Sequence, residues 1–307
     1  MVINCFAGKC NCCAISQAEP REIELINILQ ASVPRRTKRR LQWETESDIM
    51  HTLRHTTRWR RWADVFCGTG GMSAAFMRRT HSPGASLDLA LSEKHDIVSD
   101  DGFALFITIM LELVPMAMAV IGLPCSTFVF MSRGTTKRHA SNAWVGDENV
   151  ECVKLANIIA QRIVILCRVL TLRLVQYFIE QPMSSCFFKM PCFHKFCAMN
   201  PNLGRHGLQL KRKFVWLGHW GHNNPKATVL WGSARALKRL VCKKPNIRAT
   251  ASNAVVRKGS LKWVWLGRRW TQRPRISGIP RKLRQTQVYP TAFCEDVARL
   301  SVISPLR

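Results

Sequence analysis

Three short segments of the sequence place reactive or ligand-binding residue types directly after apolar runs. The first is a glycine-rich stretch, DVFCGTGG, which begins at Asp64. The second, IGLPCSTF, contains Cys125, and the third, FIEQP, contains Glu180. Because each apolar run is typical of a buried strand, we expect all three segments at the carboxyl edge of a parallel sheet, where such sheets bind ligands. The pattern predicts a site that combines a glycine turn, a thiol and a carboxyl group.

The glycine-rich stretch predicts a tight turn between a strand and a helix. Its glycines, Gly68, Gly70 and Gly71, allow the backbone to turn sharply and to approach a bound ligand closely. Asp88 ends the next predicted strand, where a carboxylate is suited to accept hydrogen bonds from ribose hydroxyls. The dinucleotide pattern G-x-G-x-x-G is absent, so the turn favours a nucleoside-like ligand, and a turn without a ligand is the alternative.

Cys125 follows Pro124 in the predicted loop after a strand, where solvent can reach a thiol. The loop leads into a basic stretch whose cations favour a thiolate and can contact phosphates, namely Arg133, Lys137 and Arg138. A buried, unreactive thiol is the alternative interpretation.

Glu180 ends another apolar run at the same predicted edge of the sheet. A carboxyl group in a desolvated pocket has a raised pKa and can donate a proton to a ring nitrogen. A carboxylate that caps the following helix is the alternative.

The composition points to a polyanionic partner. The chain of 307 residues contains 46 Lys and Arg against 19 Asp and Glu, which leaves a formal charge of +27. Nucleic acid is the first interpretation of such an excess; an anionic membrane surface, or a basic chain without such a partner, is the alternative. The 13 cysteines are expected to be reduced, because no secretory signal opens the sequence, and the location is expected to be nuclear or cytoplasmic.

Strands alternate with helices along the sequence, which predicts an α/β fold with a doubly wound, mostly parallel sheet. Strands are predicted at 63–66, 85–91, 117–122 and 177–180, with a closing pair at 214–220 and 228–233. Helices are predicted at 72–79, 101–114, 148–173 and within 289–300. The apolar segment Gly102–Pro124 fits a helix and a strand better than a membrane span, so no membrane partner is expected.

The same pattern divides the chain into three regions. Residues 1–60 form a basic N-terminal extension without sustained periodicity, for which poor order is one interpretation. Residues 61–235 form the α/β core. Residues 236–307 form a basic C-terminal segment that ends in a helix.

Taken in order, the three segments resemble the motifs of the cytosine-5 DNA methyltransferases. DVFCGTGG is similar to the turn by which that family holds S-adenosylmethionine, GLPC is similar to its Pro-Cys nucleophile loop, and EQP stands in the place of its Glu-Asn-Val motif. The resemblance covers approximately residues 60–235 and implies a Rossmann-like methyltransferase core that acts on DNA.

The resemblance also implies roles for single residues. The cofactor site would comprise Asp64, Phe66, Gly68, Gly70, Gly71, Asp88, Asp96 and Pro124. Within that site, Asp88 would hold the ribose and Asp96 the adenine amino group. Cys125 would attack carbon 6 of cytosine, and Glu180 would protonate its ring nitrogen 3. The family flips its target base out of the duplex, and the surplus of Lys and Arg would hold the phosphates.

The sequence departs from that family at several positions. Ser126 follows the cysteine where many members have Gln, and Gln181-Pro182 replaces Asn-Val. The family's Gln-x-Arg-x-Arg and Gly-Asn-Ser segments are not evident. A catalytically degenerate nucleic-acid-binding protein on a methyltransferase fold, derived from a mobile element, is therefore the alternative function. No metal is expected, although two clusters offer a zinc alternative: Cys186, Cys192, His194 and Cys197, and the N-terminal Cys5, Cys10, Cys12 and Cys13.

Overall fold

The structure, a computed structural model, describes residues 20–198, 210–222, 225–243, 254–265, 270–278 and 288–301. Within these ranges, six strands form the main sheet: β1 (Arg60–Val65), β2 (Gly84–Leu87), β3 (Leu113–Ile121), β4 (Gln176–Pro182), β5 (Lys211–Trp216) and β6 (Ala227–Gly232). A separate two-stranded sheet consists of β7 (Ala254–Trp265) and β8 (Trp270–Gly278). The helices are α1 (Pro20–Ser32), α2 (Arg35–Arg40), α3 (Glu46–His55), α4 (Gly71–Thr80), α5 (Asp100–Leu111), α6 (Arg133–Thr136), α7 (Glu151–Leu172), α8 (Pro191–Ala198), α9 (Ala236–Arg239) and α10 (Thr291–Ser301).

The main sheet has the order β2-β1-β3-β4-β6-β5. The four strands β2, β1, β3 and β4 are mutually parallel, whereas β6 is antiparallel to β4 and β5 is antiparallel to β6. The predicted α/β fold with a mostly parallel sheet is thus confirmed, and the sheet is mixed at its β6-β5 edge. After β1, the chain first forms β2 on one side of β1 and later forms β3 on its other side. A crevice therefore opens at the carboxyl ends of β1 and β3.

Each face of the main sheet buries alternate residues, because successive side chains of a strand point to opposite faces. On β1, Ala63 and Val65 belong to the first hydrophobic core, which is covered by α1, α3, α5 and α7. Trp62 belongs to the second core, on the other face, together with Phe178 of β4. Helices α4, α9 and α10 cover this second core. By the same alternation, Asp64 and Glu180 share the face that α4 and α10 cover.

The hydrophobic cores extend beyond residues 61–235 at both ends. Leu25 and Leu29 of α1 and Ile49 and Leu53 of α3 are buried in the first core. The described part of the N-terminal extension is therefore folded onto the sheet, contrary to the interpretation that it is poorly ordered. Its apolar residues lie on short helices separated by polar turns, so the sequence shows no long periodic run.

The C-terminal helix also belongs to the main body of the protein. Phe293 and Val297 of α10 are fully buried in the second core. The indole Nε1–H of Trp220 donates a hydrogen bond to Asp296 at 2.8 Å, and Arg78 and Arg79 of α4 both pair with Glu295. Residues 288–301 thus return to the sheet and pack beside the helix that follows the glycine turn.

The apolar segment Gly102–Pro124 divides into α5 and β3, as predicted, although the division falls at Glu112 rather than at Pro115. In the described residues, the helix that is long and apolar enough to cross a membrane, by length and composition alone, is α7. However, 67% of its apolar window is buried inside the protein, because α7 lies in the first core.

Candidate functional site

The three predicted segments meet at one cavity of about 430 Å³ in the crevice between β1 and β3. The cavity has the size of a small-molecule site. One part of its wall comes from the glycine turn and the end of β2: Phe66, Cys67, Gly68, Thr69, Gly71, Asp88, Leu89, His95, Asp96 and Ile97. The remainder comes from the loop after β3, from β4, and from residues late in the chain: Gly122, Leu123, Pro124, Cys125, Ser126, Ile159, Glu180, Pro182, Lys226, Val288 and Tyr289.

The glycine turn has the backbone conformation that its sequence predicts. Gly68 and Gly70 adopt positive φ angles of 52° and 72°, in the left-handed region that side chains with a Cβ rarely occupy. Phe66 also has a positive φ, 58°, which is an uncommon and strained conformation for a bulky residue. Phe66 lines the cavity, and the centre of its ring lies 6.3 Å from the centre of the Phe106 ring. Such strain next to a cavity is typical of functional sites.

Asp88 connects the glycine turn to the end of β2. Its Oδ2 accepts a hydrogen bond from the Gly68 N–H at 2.8 Å, and its Oδ1 accepts one from the Ala90 N–H at 2.9 Å. The His95 ring lies against the Asp88 backbone, with Nδ1 3.1 Å from the carbonyl oxygen. A carboxylate oxygen can accept more than one hydrogen bond, and Asp88 lines the cavity, so it can also accept hydrogen bonds from a ligand.

Asp96 reaches the same cavity through a single turn of 3₁₀ helix, Glu93–His95, rather than through a full α-helix. This turn explains how the short interval between Asp88 and Asp96 still places both carboxylates at one site. The Asp96 Oδ1 accepts a hydrogen bond from the Val98 N–H at 2.9 Å, which holds the carboxylate at the start of α5.

Asp64 and Gly70, two of the predicted cofactor residues, do not line the cavity. The buried Asp64 carboxylate lies behind the turn and accepts hydrogen bonds from the Ser73 N–H at 2.9 Å and the Ser73 hydroxyl at 2.7 Å. Burial raises its pKa to about 6, against the effect of these hydrogen bonds. Asp64 therefore fixes the first turn of α4 against β1 and shapes the cavity indirectly.

Cys125 lies half-buried in the loop after β3, where it lines the cavity near Glu180 and Lys226. Its carbonyl accepts hydrogen bonds from the N–H groups of Phe128 and Val129, which turn the loop back over the sheet. Burial and the nearby Glu180 raise the pKa of the thiol, and Lys226 opposes that shift. The sequence predicts that Arg133, Lys137 and Arg138 favour the thiolate. In the structure, the cation that acts on Cys125 is Lys226.

Glu180 projects into the same end of the cavity from a buried position on β4. Its Oε2 accepts a hydrogen bond from the Tyr289 hydroxyl at 3.2 Å, whereas Oε1 is buried without a hydrogen-bond partner among the described residues. Burial raises the pKa of this carboxyl group, and Lys226 opposes the shift. A buried acid with a raised pKa that lines a cavity is suited to donate a proton to a ligand.

Gln181 was predicted only as a departure from a family motif, yet it connects the two reactive residues. Its buried Nε2 donates a hydrogen bond to the Leu123 carbonyl at 2.6 Å, and its Oε1 accepts one from the Ser185 hydroxyl at 2.8 Å. The first bond joins β4 to the loop immediately before Pro124 and Cys125. Gln181 thus sets the position of the Cys125 loop relative to Glu180.

Two residues that no sequence motif indicates, Lys226 and Tyr289, also line the cavity. Lys226 immediately precedes β6, and because β6 is antiparallel to β4, its beginning lies at the same edge as the end of β4. The predicted strand at 228–233 located β6 but not its direction. Tyr289 precedes the predicted terminal helix, and no local pattern indicates that this helix returns to the sheet.

The three predicted phosphate-binding residues occupy different environments. Lys137 is exposed, and Arg133 lies partly exposed, 5.0 Å from the ring of Phe130 and 4.9 Å from the ring of Trp144. Arg138 is only 1% exposed and donates hydrogen bonds to the carbonyls of Thr127, Trp144 and Val145. The expectation that Arg138 contacts nucleic acid is therefore wrong for this conformation, because its guanidinium holds the loop together from inside.

In the part of the chain that the structure describes, no three His, Cys, Asp or Glu side chains lie close enough to hold a metal ion. Within the zinc alternative, Cys186 is buried, Cys192 is half-buried and Cys197 is exposed, and all the described cysteines are free thiols. The N-terminal cysteines, Cys5, Cys10, Cys12 and Cys13, lie outside the described residues.

Comparison with protein-family models finds no match to this chain, and comparison with curated proteins finds none either. The functional assignment therefore depends on the geometry of the cavity.

Proposed function

We propose that this protein is an S-adenosylmethionine-dependent methyltransferase that acts on cytosine in nucleic acid, with DNA favoured over RNA. The observation that carries the proposal is the presence of an unpartnered, buried Glu180 oxygen and the Cys125 thiol in one cavity. We propose in addition that the α/β fold is a Rossmann-like methyltransferase core. The position of the cavity, at the point where the strand order reverses, supports this description of the fold.

The end of the cavity at the glycine turn fits a nucleoside-like cofactor. It offers the Asp88 carboxylate for hydroxyl groups, the Asp96 carboxylate for an amino group, and the Phe66 ring as an apolar wall. A Cβ built on Gly68 would meet no atom within 4 Å, so the glycine is required by its positive φ rather than by crowding. When bound there, S-adenosylmethionine would supply the methyl group.

Cys125 and Glu180 carry complementary parts of the reaction. The Cys125 sulfur forms a bond to carbon 6 of the cytosine, and the carbon 5–carbon 6 double-bond electrons move toward the ring's carbon 4 and nitrogen 3. Glu180 gives its proton to nitrogen 3, so the ring stays neutral and carbon 5 becomes nucleophilic. After carbon 5 gains the methyl group, with S-adenosylhomocysteine as the other product, carbon 5 loses its proton to a base and the sulfur–carbon bond breaks to release the Cys125 thiolate. Nitrogen 3 returns its proton to Glu180, which leaves a neutral 5-methylcytosine.

The size of the cavity requires that the cytosine leave the base stack to reach Cys125. Unstacking is unfavourable by a few kcal/mol, and phosphate contacts offset that cost. The formal charge of +27, with exposed Lys137 next to the Cys125 loop, supports such contacts. The location implied by this substrate is the nucleus or the cytoplasm.

A nucleic-acid-binding protein without catalytic activity is the second candidate, and one observation favours it. Burial raises the pKa of the Cys125 thiol, which keeps the sulfur protonated at neutral pH unless a ligand changes its surroundings. This candidate binds nucleic acid in a salt-sensitive way but has no saturable site for S-adenosylmethionine.

Two measurements test the proposal. Calorimetric titration with S-adenosylmethionine should show saturable binding that weakens in Asp88→Ala. Incubation with cofactor and DNA containing 5-fluorocytosine should then yield a covalent complex, because fluorine on carbon 5 blocks the final proton loss.

The trap should disappear in Cys125→Ala and weaken strongly in Glu180→Gln, while Cys152→Ala, which removes an exposed thiol outside the cavity, should behave as wild type. Absence of cofactor binding and of trapping in a folded wild-type protein would support the second candidate instead.

A further inference from the structure

Lys226 occupies a fixed position at the Cys125 end of the cavity. Its carbonyl accepts hydrogen bonds from the Leu217 N–H at 3.1 Å and from the Thr228 hydroxyl at 3.2 Å, which holds the backbone at the start of β6. Its ammonium group lies 5.8 Å from the centre of the Tyr289 ring. The side chain therefore reaches the same corner of the cavity as the Tyr289–Glu180 hydrogen bond.

Lys226 is the only lysine or arginine among the described residues that line the cavity. The other titratable groups of that wall are Cys67, Asp88, His95, Asp96, Cys125, Glu180 and Tyr289. None of the ion pairs between described residues uses Lys226. Its charge instead acts on both Cys125 and Glu180, and it opposes the effect of burial on each. One cation thus serves two acids that repel each other when both are ionised.

We propose that Lys226 is a positioning residue that acts as the shared counter-ion of Cys125 and Glu180 and selects the reactive arrangement of their one proton. This inference rests on the proposed function, in which Cys125 reacts as a thiolate and Glu180 as an acid.

With the proton on sulfur, the positive charge of Lys226 balances the Glu180 carboxylate. With the proton moved from the sulfur to Glu180, the same charge balances the thiolate. Lys226, Cys125 and Glu180 together carry zero net charge in both arrangements. The transfer of the proton between Cys125 and Glu180 therefore needs no further ion in the cavity.

The test measures the reactivity of Cys125 without cofactor or nucleic acid. The rate of carbamidomethylation of Cys125 by iodoacetamide is followed by peptide mass spectrometry between pH 6 and 10. In Lys226→Met, we expect the midpoint of the profile to rise by about one pH unit and the rate at pH 7.5 to fall ~10-fold, since one unit of thiol pKa changes the thiolate fraction tenfold. Lys226→Arg should retain the wild-type profile, and Lys154→Met, the same change at an exposed position on α7, should have no effect.

Glu180→Gln, with Lys226 unchanged, should shift the alkylation profile of Cys125 in the direction opposite to that of Lys226→Met. Removal of the competing carboxylate leaves Lys226 to the thiolate, so the midpoint should fall and Cys125 should react faster. The double variant Lys226→Met/Glu180→Gln should lose that gain. Equal profiles for wild type, Lys226→Met and Glu180→Gln would overturn the inference.

The outcome is distinguishable from a failure of the proposed function. If wild type forms the fluorocytosine trap but Lys226→Met leaves the alkylation profile unchanged, the shared counter-ion is wrong and the methyltransferase proposal stands. If the trap never forms but the alkylation profiles shift as described, Lys226 has the assigned effect on Cys125 and the methyltransferase proposal fails.

Discussion

The Tyr289 hydroxyl donates a hydrogen bond to Glu180 Oε2 at 3.2 Å, although the two residues are 109 positions apart in the chain. This contact closes the candidate site, because it brings the segment before α10 over the end of β4. It also leaves Oε1, a buried oxygen of Glu180, without a hydrogen-bond partner among the described residues. The C-terminal segment thus contributes to the site as well as to the core.

Tyr289→Phe removes this hydrogen bond but keeps the ring that packs 5.6 Å from Phe293. Because the hydrogen bond lowers the pKa of Glu180 while burial raises it, the variant should have a higher Glu180 pKa than wild type. Difference infrared spectroscopy of the carboxyl stretch, with Glu180→Gln to identify the band, measures the midpoint. An unchanged or lower midpoint would contradict the contact.

Phe293→Ala should destabilise the whole domain, because this fully buried ring joins α10 to the second core. The expected loss in the free energy of unfolding is about 3–5 kcal/mol, the usual effect of Phe truncation in a core. Urea denaturation of the full chain measures it, with Thr291→Ala at an exposed position of α10 as the control. A loss no greater than that of the control would show that α10 is not part of the cooperative unit.

Asp64 predicts a pH dependence of stability with a defined sign. Its pKa is about 6 in the folded protein and 3.8 when exposed, so the folded state holds the proton more tightly. The associated stability is present below pH 4 and is lost as the pH rises through 6, which amounts to about 3 kcal/mol at 1.36 kcal/mol per unit. Asp64→Asn should remove this decline in urea denaturation between pH 4 and 7. Parallel profiles for the variant and wild type would refute the role of Asp64.

Gln181→Met should reduce covalent trapping while cofactor binding stays the same. The variant leaves the buried Leu123 carbonyl without its donor, at a cost of about 1–3 kcal/mol, and frees the loop that carries Cys125. Single-turnover trapping on fluorocytosine DNA and calorimetry with S-adenosylmethionine separate the two effects. Ser185→Ala, which removes only the contact to the Gln181 Oε1, is the milder control.

Arg138 and Lys137 should respond in opposite ways to truncation. Arg138→Met removes the donor to one buried and two partly buried carbonyl groups and should lower the free energy of unfolding by ~3 kcal/mol. Lys137→Ala should leave stability nearly unchanged but weaken nucleic-acid binding and reduce the slope of log K against log salt by about one. Salt-dependent binding and thermal unfolding of both variants test the contrast, and a stable Arg138→Met would contradict it.

The sequence alone determined the α/β class and the glycine turn, because both are local. A strand that is buried on both faces of the sheet appears as a continuous run such as Trp62-Ala63-Asp64-Val65, and the left-handed turn needs glycine at positions 68 and 70. The position of Cys125, Glu180 and Asp88 directly after predicted strands also sufficed to place them at one edge of a sheet. The second strand was predicted too long, to Leu91 rather than Leu87, because Asp88 begins a turn that Gly68 and His95 hold.

Only the tertiary structure decided which distant residues complete that edge. Lys226 joins the site because β6 runs antiparallel to β4, and Tyr289 joins it because α10 returns to the second core. Arg138 was expected to contact phosphates, but its buried guanidinium donates hydrogen bonds to carbonyls of its own loop. Whether a charged side chain faces solvent or backbone carbonyls depends on how its loop folds back. Periodicity reports the burial of neighbours along the chain, whereas these contacts depend on strand direction and chain return, which residue spacing does not encode.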